Sequence, residues 1–366
     1  MIKYHFKLSE NASIGLDLMR GLSAQLVVIG HGISFMGIAL FLQPPNFPWI
    51  QNIGVLVFFL LSGLLITHST FSKMSSETYT FKTYFIDRFS RIYSGYIPVL
   101  LVIVVLDGIY LYHLNGDGFV LNAYNPGTFA GNLLMLQYYP LFCFQPFKPF
   151  ISCTSFGTAA PFWMLAIMWW IYMFFGWIVL GRKVVKNKGL YYFILLFFSI
   201  VPFFNSVLGS LGSGLTVVWM VGLLVALLLN TEIHQNLKNK SLALSILFSA
   251  LAFGKVYVTK NAYELIFALF LAAAMYFFIV YANQSQFKVP RTTKKTIRIL
   301  SKYSFTLYML HYTIFTIFTT FKNSYSPYLL FIVAFVLSNV FSLIIAYFTE
   351  MRYKDFRKYL SGAQTG

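Results

Sequence analysis

Stretches of about twenty mostly apolar residues recur along this chain, and they limit what it can become. At a rise of 1.5 Å per residue, roughly twenty residues of helix cross a hydrocarbon layer of about 30 Å. Such a helix satisfies its own backbone hydrogen bonds, which a lipid interior would otherwise leave unmet. Ten runs of this kind lie near 14–40, 49–69, 92–112, 161–181, 190–208, 213–230, 241–257, 262–282, 300–321 and 327–349, with the weakest signals at 190–208 and 241–257. The pattern predicts an all-α polytopic membrane bundle of about ten transmembrane helices. Composition agrees, at 58% hydrophobic and 10% charged, where a soluble domain carries about a quarter charged residues. The first run is too long for the core of a signal peptide and lacks a small-residue cleavage pattern, so it reads as a retained first span.

A net charge of +17 raises the question of nucleic acid, and the distribution of the charge argues against it. With ten spans, alternate loops share a side. Of the 27 Lys and Arg, Lys148, Lys255, Lys260 and Lys322 fall on one side and the other 23 on the side that holds both ends of the chain. The positive-inside rule then puts the N- and C-termini in the cytoplasm, and the same loops favour the anionic headgroups of the lipid bilayer. The run "RTTKKTIR" at 291–298 reads as a juxtamembrane topology signal rather than a nucleic-acid patch. The last apolar run ends near 349, so one transmembrane domain over 1–350 and a short basic cytoplasmic tail over 351–366 are expected.

Both cysteines, Cys143 and Cys153, fall in the long loop at 113–160 on the far side from the termini. Facing an oxidising compartment they can pair as a disulfide, and two free thiols are the alternative. No metal site is expected, because the histidines sit in separate segments without close ligand spacing.

The first run opens with "RGLSAQLVVIGH" at 20–31. Eleven residues of helix put His31 about 16 Å deeper than Arg20, close to the same stripe as Arg20 and Asp17. The arginine reaches the headgroup boundary, but the histidine must face protein or a wet cavity. One reading is a neutral histidine bonded between helices. The other is a functional group, since ionisable side chains at depth mark pathways and sites and imidazole suits proton transfer near neutral pH. In "SKYSFTLYMLHYTIF" at 301–315, Ser301, Ser304, Tyr308 and His311 share a second polar stripe, which should face the bundle. Interhelical glue is the alternative for this stripe. Two histidines at similar depth suggest one shared cavity.

Arg88 and Arg91 in "DRFSRIY" at 87–93 are three residues apart. A guanidinium pair grips phosphate through charge-assisted bonds, although two topology arginines at the start of a helix would look the same. In "GVLVFFLLSGLLITHS" at 54–69, Ser62 and Gly63 are small enough to let helices approach closely, and His68 sits near the cytoplasmic end.

Together these segments resemble the acyltransferase-3 family, integral-membrane acyltransferases that move acyl groups, often acetyl from acetyl-CoA, onto bacterial surface sugars. "LDLMRGLSAQLVVIGH" is similar to the family's first-span pattern of arginine and histidine separated by ten residues. "GVLVFFLLSGLLI" resembles its second-span signature, "RFSRIY" its Arg-x-x-Arg-aromatic element, and "SKYSFTLYMLHYTIF" its late segment. One landmark departs. The family often carries a segment like "WSLSVEEQFYL" in mid-chain, and here "FWMLAIMWWIYMF" at 162–174 takes its place, with Met168 or Trp169 at the acidic position.

The resemblance implies an acetyl-CoA-dependent O-acyltransferase in a bacterial cytoplasmic (inner) membrane. Its acceptor would be a hydroxyl of a surface or lipid-linked polysaccharide such as O-antigen, capsule or exopolysaccharide. Acetyl-CoA, or another acyl-CoA, would be a donor substrate, with no permanently bound cofactor. Arg20, Arg88 and Arg91 would meet the acyl-CoA phosphates and His31 would be the catalytic base, with an acyl-His31 relay as the alternative route. Tyr308, His311, Ser304 and Ser62 would orient substrate, and Tyr308 and His311 could donate to the developing oxyanion. The rival class is a transporter or flippase of a lipid-linked sugar; acylation of a small molecule or lipid is a further alternative. A homo-oligomer remains open.

Overall fold

The computed structural model describes residues 4–114, 116–137, 139–140, 154–207, 212–231 and 240–362. Cys143 and Cys153 lie outside the described residues. In chain order the helices are α1 (Glu10–Met36), α2 (Ile50–Lys73), α3 (Phe81–His113), α4 (Gly118–Ala123), α5 (Pro126–Leu133), α6 (Phe162–Leu180) and α7 (Lys188–Val207). They continue as α8 (Leu215–Leu229), α9 (Ser241–Thr259), α10 (Leu265–Gln284), α11 (Arg291–Lys302), α12 (Ser304–Thr319), α13 (Pro327–Phe348) and α14 (Tyr353–Leu360).

Among the described residues, eight helices are long and apolar enough to cross a membrane. Two of the ten expected runs form shorter helices. The run at 213–230 is α8, of 15 residues. The run at 300–321 is cut at Tyr303, where the chain leaves helical geometry, so the basic stretch before it becomes α11 and α12 keeps 16 residues. The third span is longer than its apolar core, because α3 begins at Phe81 and runs for 33 residues. At about 50 Å it overshoots a hydrocarbon layer, and the segment with Arg88 and Arg91 is the charged start of a continuous helix rather than a loop.

The helices group into two compact units. One comprises Met1–Gly30, Ala39–Tyr79 and Gly209–Ser304, and the other His31–Ile38, Thr80–Leu208 and Phe305–Gly366. In the first unit, α2 and α8 meet backbone to backbone. A Cβ on Gly63 would collide with the Trp219 carbonyl oxygen, and one on Gly222 with that of Leu60. Lipid tails are as apolar as the side chains, so this close van der Waals approach, rather than hydrophobic burial, holds such a pair together. The Trp219 indole N–H adds a hydrogen bond to the Ser62 hydroxyl at 2.9 Å. The N-terminal segment is sewn to the same unit. The Tyr4 hydroxyl bonds the Ala226 carbonyl at 3.2 Å, and burial raises the pKa of this phenol. Asn230 Oδ1 accepts from the amides of His5 and Phe6.

In the second unit α6 is almost wholly enclosed in protein. Its rings pack on those of α3: Phe85, Phe89 and Tyr93 form a column at four-residue spacing, and Trp169 stands edge-on to all three, 5.4 Å from Tyr93 between centroids. After the last long helix, Tyr353–Leu360 forms the short helix α14. Arg357 of α14 pairs with the buried Asp87 of α3, and Phe356 packs on Phe89.

Candidate active site

The second unit brings His31 and His311 together. Their nearest ring nitrogens, His31 Nδ1 and His311 Nε2, are 2.8 Å apart, and the rings lie 5.1 Å between centroids at 17°. The Tyr312 ring stands edge-on to His31 at 5.3 Å, and Phe35 packs against Tyr312 at 4.7 Å. His311 is fully buried, whereas His31 keeps part of its surface exposed.

Hydrogen-bond chemistry fixes where the protons sit. His311 Nδ1 is 3.0 Å from the Leu307 carbonyl oxygen. A carbonyl only accepts, so Nδ1 carries a hydrogen. A cationic His311 would be a buried charge with no carboxylate at either ring nitrogen, which is costly. Neutral His311 therefore presents a bare Nε2, and His31 must donate to it from Nδ1. Neutral His31 is left with its lone pair on Nε2, which has no hydrogen-bond partner among the described residues. The geometry thus locks one tautomer of His31 and leaves a base on its outward nitrogen.

Tyr308 lies on the same helix, its ring 6.1 Å from that of His311. Its hydroxyl donates to the Pro161 carbonyl at 2.9 Å, tying α12 to the start of α6. The hydrogens expected to meet an oxyanion are therefore engaged within the protein: that of Tyr308 with Pro161, and that of His311 with Leu307. This arrangement fits both residues as positioning groups.

Arg88 and Arg91 are handled differently from each other. Arg91 pairs with Glu350 at 3.3 Å and lies over the Tyr353 ring at 4.7 Å. Glu350 is fully buried and also accepts from the Thr306 amide at 3.1 Å and the Thr306 hydroxyl at 2.9 Å. The adjacent Asp87 is taken by Arg357. Arg88 lies over the Tyr84 ring at 5.6 Å, and its buried Nε has no hydrogen-bond partner among the described residues. Arg88 is thus the cation of the pair with hydrogen-bonding capacity to spare for an anion.

Sequence reasoning missed two carboxylates in this unit. Glu350 was legible only as a lone acid at the end of the last apolar run. The other is Asp107, fully buried in α3. Asp107 accepts from the Thr158 amide at 2.8 Å and from the Thr158 hydroxyl at 2.6 Å. The Thr158 oxygen also lies 2.7 Å from the Thr313 hydroxyl. Thr158 has one hydrogen to give, so the chain of donation runs Thr313 to Thr158 to Asp107. Gly157, with φ +48°, leaves no room for a Cβ against the Asp107 carboxylate. With only ten acids in the whole sequence, each one inside an apolar run was a signal. Of the two residues that can stand at the family's acidic position, Met168 and Trp169, the second packs its ring on Phe85, Phe89 and Tyr93.

The other predicted residues belong to the first unit. Arg20 stands 3.7 Å from Asp17, and its guanidinium lies 3.5 Å from the Ser301 hydroxyl, which itself donates to Asp17 at 2.9 Å. Ser304 donates to the Ser301 carbonyl at 2.7 Å, closing the break between α11 and α12. Ser62 is occupied with Trp219, as described for the α2–α8 contact.

These features define a multi-pass helical membrane protein with a paired-imidazole centre. The chain belongs to the acyltransferase-3 family: the family's sequence model, described as an acyltransferase domain, matches residues 13–350, nearly the whole chain. It is a membrane acyltransferase. No curated protein and no solved structure matches it.

Proposed function

We propose that the protein transfers acetyl from cytoplasmic acetyl-CoA to a hydroxyl of a surface or lipid-linked polysaccharide, in a bacterial inner membrane with both termini cytoplasmic. The observation that carries the mechanism is the 2.8 Å bond between His31 and His311, because it leaves His31 Nε2 as a held base. His31 Nε2 takes the proton of the acceptor hydroxyl as that oxygen bonds to the thioester carbonyl carbon. The carbon–sulfur bond then breaks. The departing thiolate takes the proton from His31 Nε2, giving an O-ester and free CoA with His31 restored.

His311 holds the tautomer and stabilises the transient imidazolium by accepting from its other nitrogen, while Tyr308 holds α12 against α6. Arg88 receives a CoA phosphate. Arg91, paired with Glu350, steadies the start of the helix that carries Arg88. The acceptor class is supported by the family's action on bacterial surface sugars.

Purified protein incubated with radiolabelled acetyl-CoA and a lipid-linked glycan tests this. Label in the glycan, absent with His31→Ala at equal protein abundance, is expected. Full activity in His31→Ala would remove the mechanism. Movement of the glycan across the membrane without label transfer would favour a flippase.

A further inference from the structure

The His311 ring is fastened to its own helix, through Nδ1 and the Leu307 carbonyl at 3.0 Å, so its Nε2 turns and slides with α12. The chain leaves helical geometry at Tyr303, so α11 does not dictate that rotation. Thr306, held by Glu350, ties the start of α12 before His311. Two further side chains tie α12 to segment 154–161, one before His311 and one beyond it. Tyr308 donates to the Pro161 carbonyl at 2.9 Å, and the Thr313 hydroxyl meets that of Thr158 at 2.7 Å. Five residues of helix set these two about 140° apart around the axis and about 7.5 Å apart along it. Ties on both sides of His311 fix its turn in rotation and height, which ties on one side alone would not. The receiving segment is itself held. Asn132 of α5 donates to the Thr154 carbonyl at 2.9 Å and accepts from the Phe156 amide at 3.2 Å. The Gly157 amide reaches the Ala123 carbonyl at 3.3 Å, and the buried Asp107 binds both the amide and the hydroxyl of Thr158.

We infer that Asp107, Thr158 and Thr313 are positioning residues for the imidazole pair: Asp107 fixes Thr158, and Thr158 fixes α12 through Thr313 so that His311 Nε2 stays aimed at His31 Nδ1. The catalytic consequence rests on the function proposed above. A hydrogen bond weakens steeply as its angle departs from linear. A turned α12 would therefore release the His31 tautomer, and the base on His31 Nε2 would be present only part of the time. Asp107 lies about 28 Å beyond Arg88 along α3, so binding of the CoA phosphates should not sense the clamp. Its loss should appear in the chemical step, where a small misplacement far from the reacting atoms is expensive.

Nitrogen magnetic resonance of the full chain in detergent, with isotope-labelled histidine, tests the clamp, because an N–H nitrogen and a bare one resonate apart. Signals are assigned by their loss in His31→Ala and His311→Ala. Wild type should show both rings as single Nδ1–H tautomers. Thr313→Val should turn the His31 signals into a mixture of two tautomers, whereas Thr313→Ser, which keeps the hydroxyl, should retain the wild-type pattern. Labelled acetyl transfer, measured in parallel, should show kcat of Thr313→Val lowered about 10–100-fold with KM for acetyl-CoA about unchanged. Thr158→Val keeps the amide bond to Asp107 and loses both hydroxyl contacts; it should behave as Thr313→Val does, and it replaces that variant if a thermal shift shows Thr313→Val unfolded. Wild-type tautomers in a folded Val variant overturn the inference, whatever happens to kcat. A wild type with the expected tautomers that transfers no acetyl would remove the proposed function, while a Val variant that scrambles those tautomers would leave the positioning role standing.

Discussion

His31 and His311 share one hydrogen bond, whereas Arg88 and Arg91, three residues apart on one helix, have different partners. The histidines meet 2.8 Å apart with no carboxylate at either ring among the described residues. The arginines sit at the charged start of α3, where Glu350 engages one of them. The difference follows depth. Inside the bilayer an uncompensated charge is costly, so the pair there works as a neutral hydrogen-bonded unit whose value lies in tautomer and direction. Near the leaflet boundary charge is affordable, and its value lies in which cation is left uncompensated.

Substitutions can break that contrast. The largest effect is expected from His31→Ala, which removes the proposed base: acetyl transfer should fall by about 10²–10⁴-fold or more, measured as labelled product at equal protein level. His311→Ala should cost less, about 10²-fold in kcat, because the base remains but its tautomer is free. His311→Gln should recover much of that loss, since the Gln amide oxygen can accept from His31 Nδ1. A Gln variant no better than Ala would show that acceptance at this position is not what matters.

The arginines should separate by kinetics. Arg88→Gln should raise KM for acyl-CoA about 10–100-fold with little change in kcat. Arg91→Gln should act mainly on stability, lowering it by about 1–3 kcal/mol by leaving Glu350 buried with one partner fewer; solvent around the partly exposed Arg91 reduces the loss. Adding Glu350→Gln should restore part of it, read as a thermal shift in detergent. Asp107→Asn should also cost about 1–3 kcal/mol, because an amide N–H would face either the Thr158 amide or its hydroxyl hydrogen. The smallest effect is expected at Trp219→Phe, about 1 kcal/mol of stability for the lost bond to Ser62, with acetyl transfer unchanged.

Much of the fold was legible because length and apolarity alone dictate a membrane helix. The runs at 14–40, 49–69 and 327–349 became α1, α2 and α13 with modest shifts at their ends. The break at Tyr303 was not legible: nothing in "ILSKYSF" forbids helix, and the Ser304 hydroxyl stabilises the break only once it exists. For the candidate site, periodicity placed His31 and His311 on polar stripes, and that suffices to suggest a meeting. It could not say which nitrogens meet, since that depends on ring rotation and on the Leu307 carbonyl. The inequality of Arg88 and Arg91 was equally hidden, because it is set by Glu350, some 259 positions away in sequence. Ser62, read as an orienting group, accepts a hydrogen bond from the Trp219 indole. A small hydroxyl beside a glycine signals close helix approach, and the sequence does not say what approaches.

The single hydrogen shared by the two imidazoles has an energetic consequence for a cell. On the proposed route a proton passes from the acceptor hydroxyl through His31 Nε2 to sulfur, while acetyl moves the other way as a formal acylium, so the O-ester and the CoA thiol both end neutral. The exchange carries no net charge, so on this route the transfer draws no free energy from the transmembrane voltage.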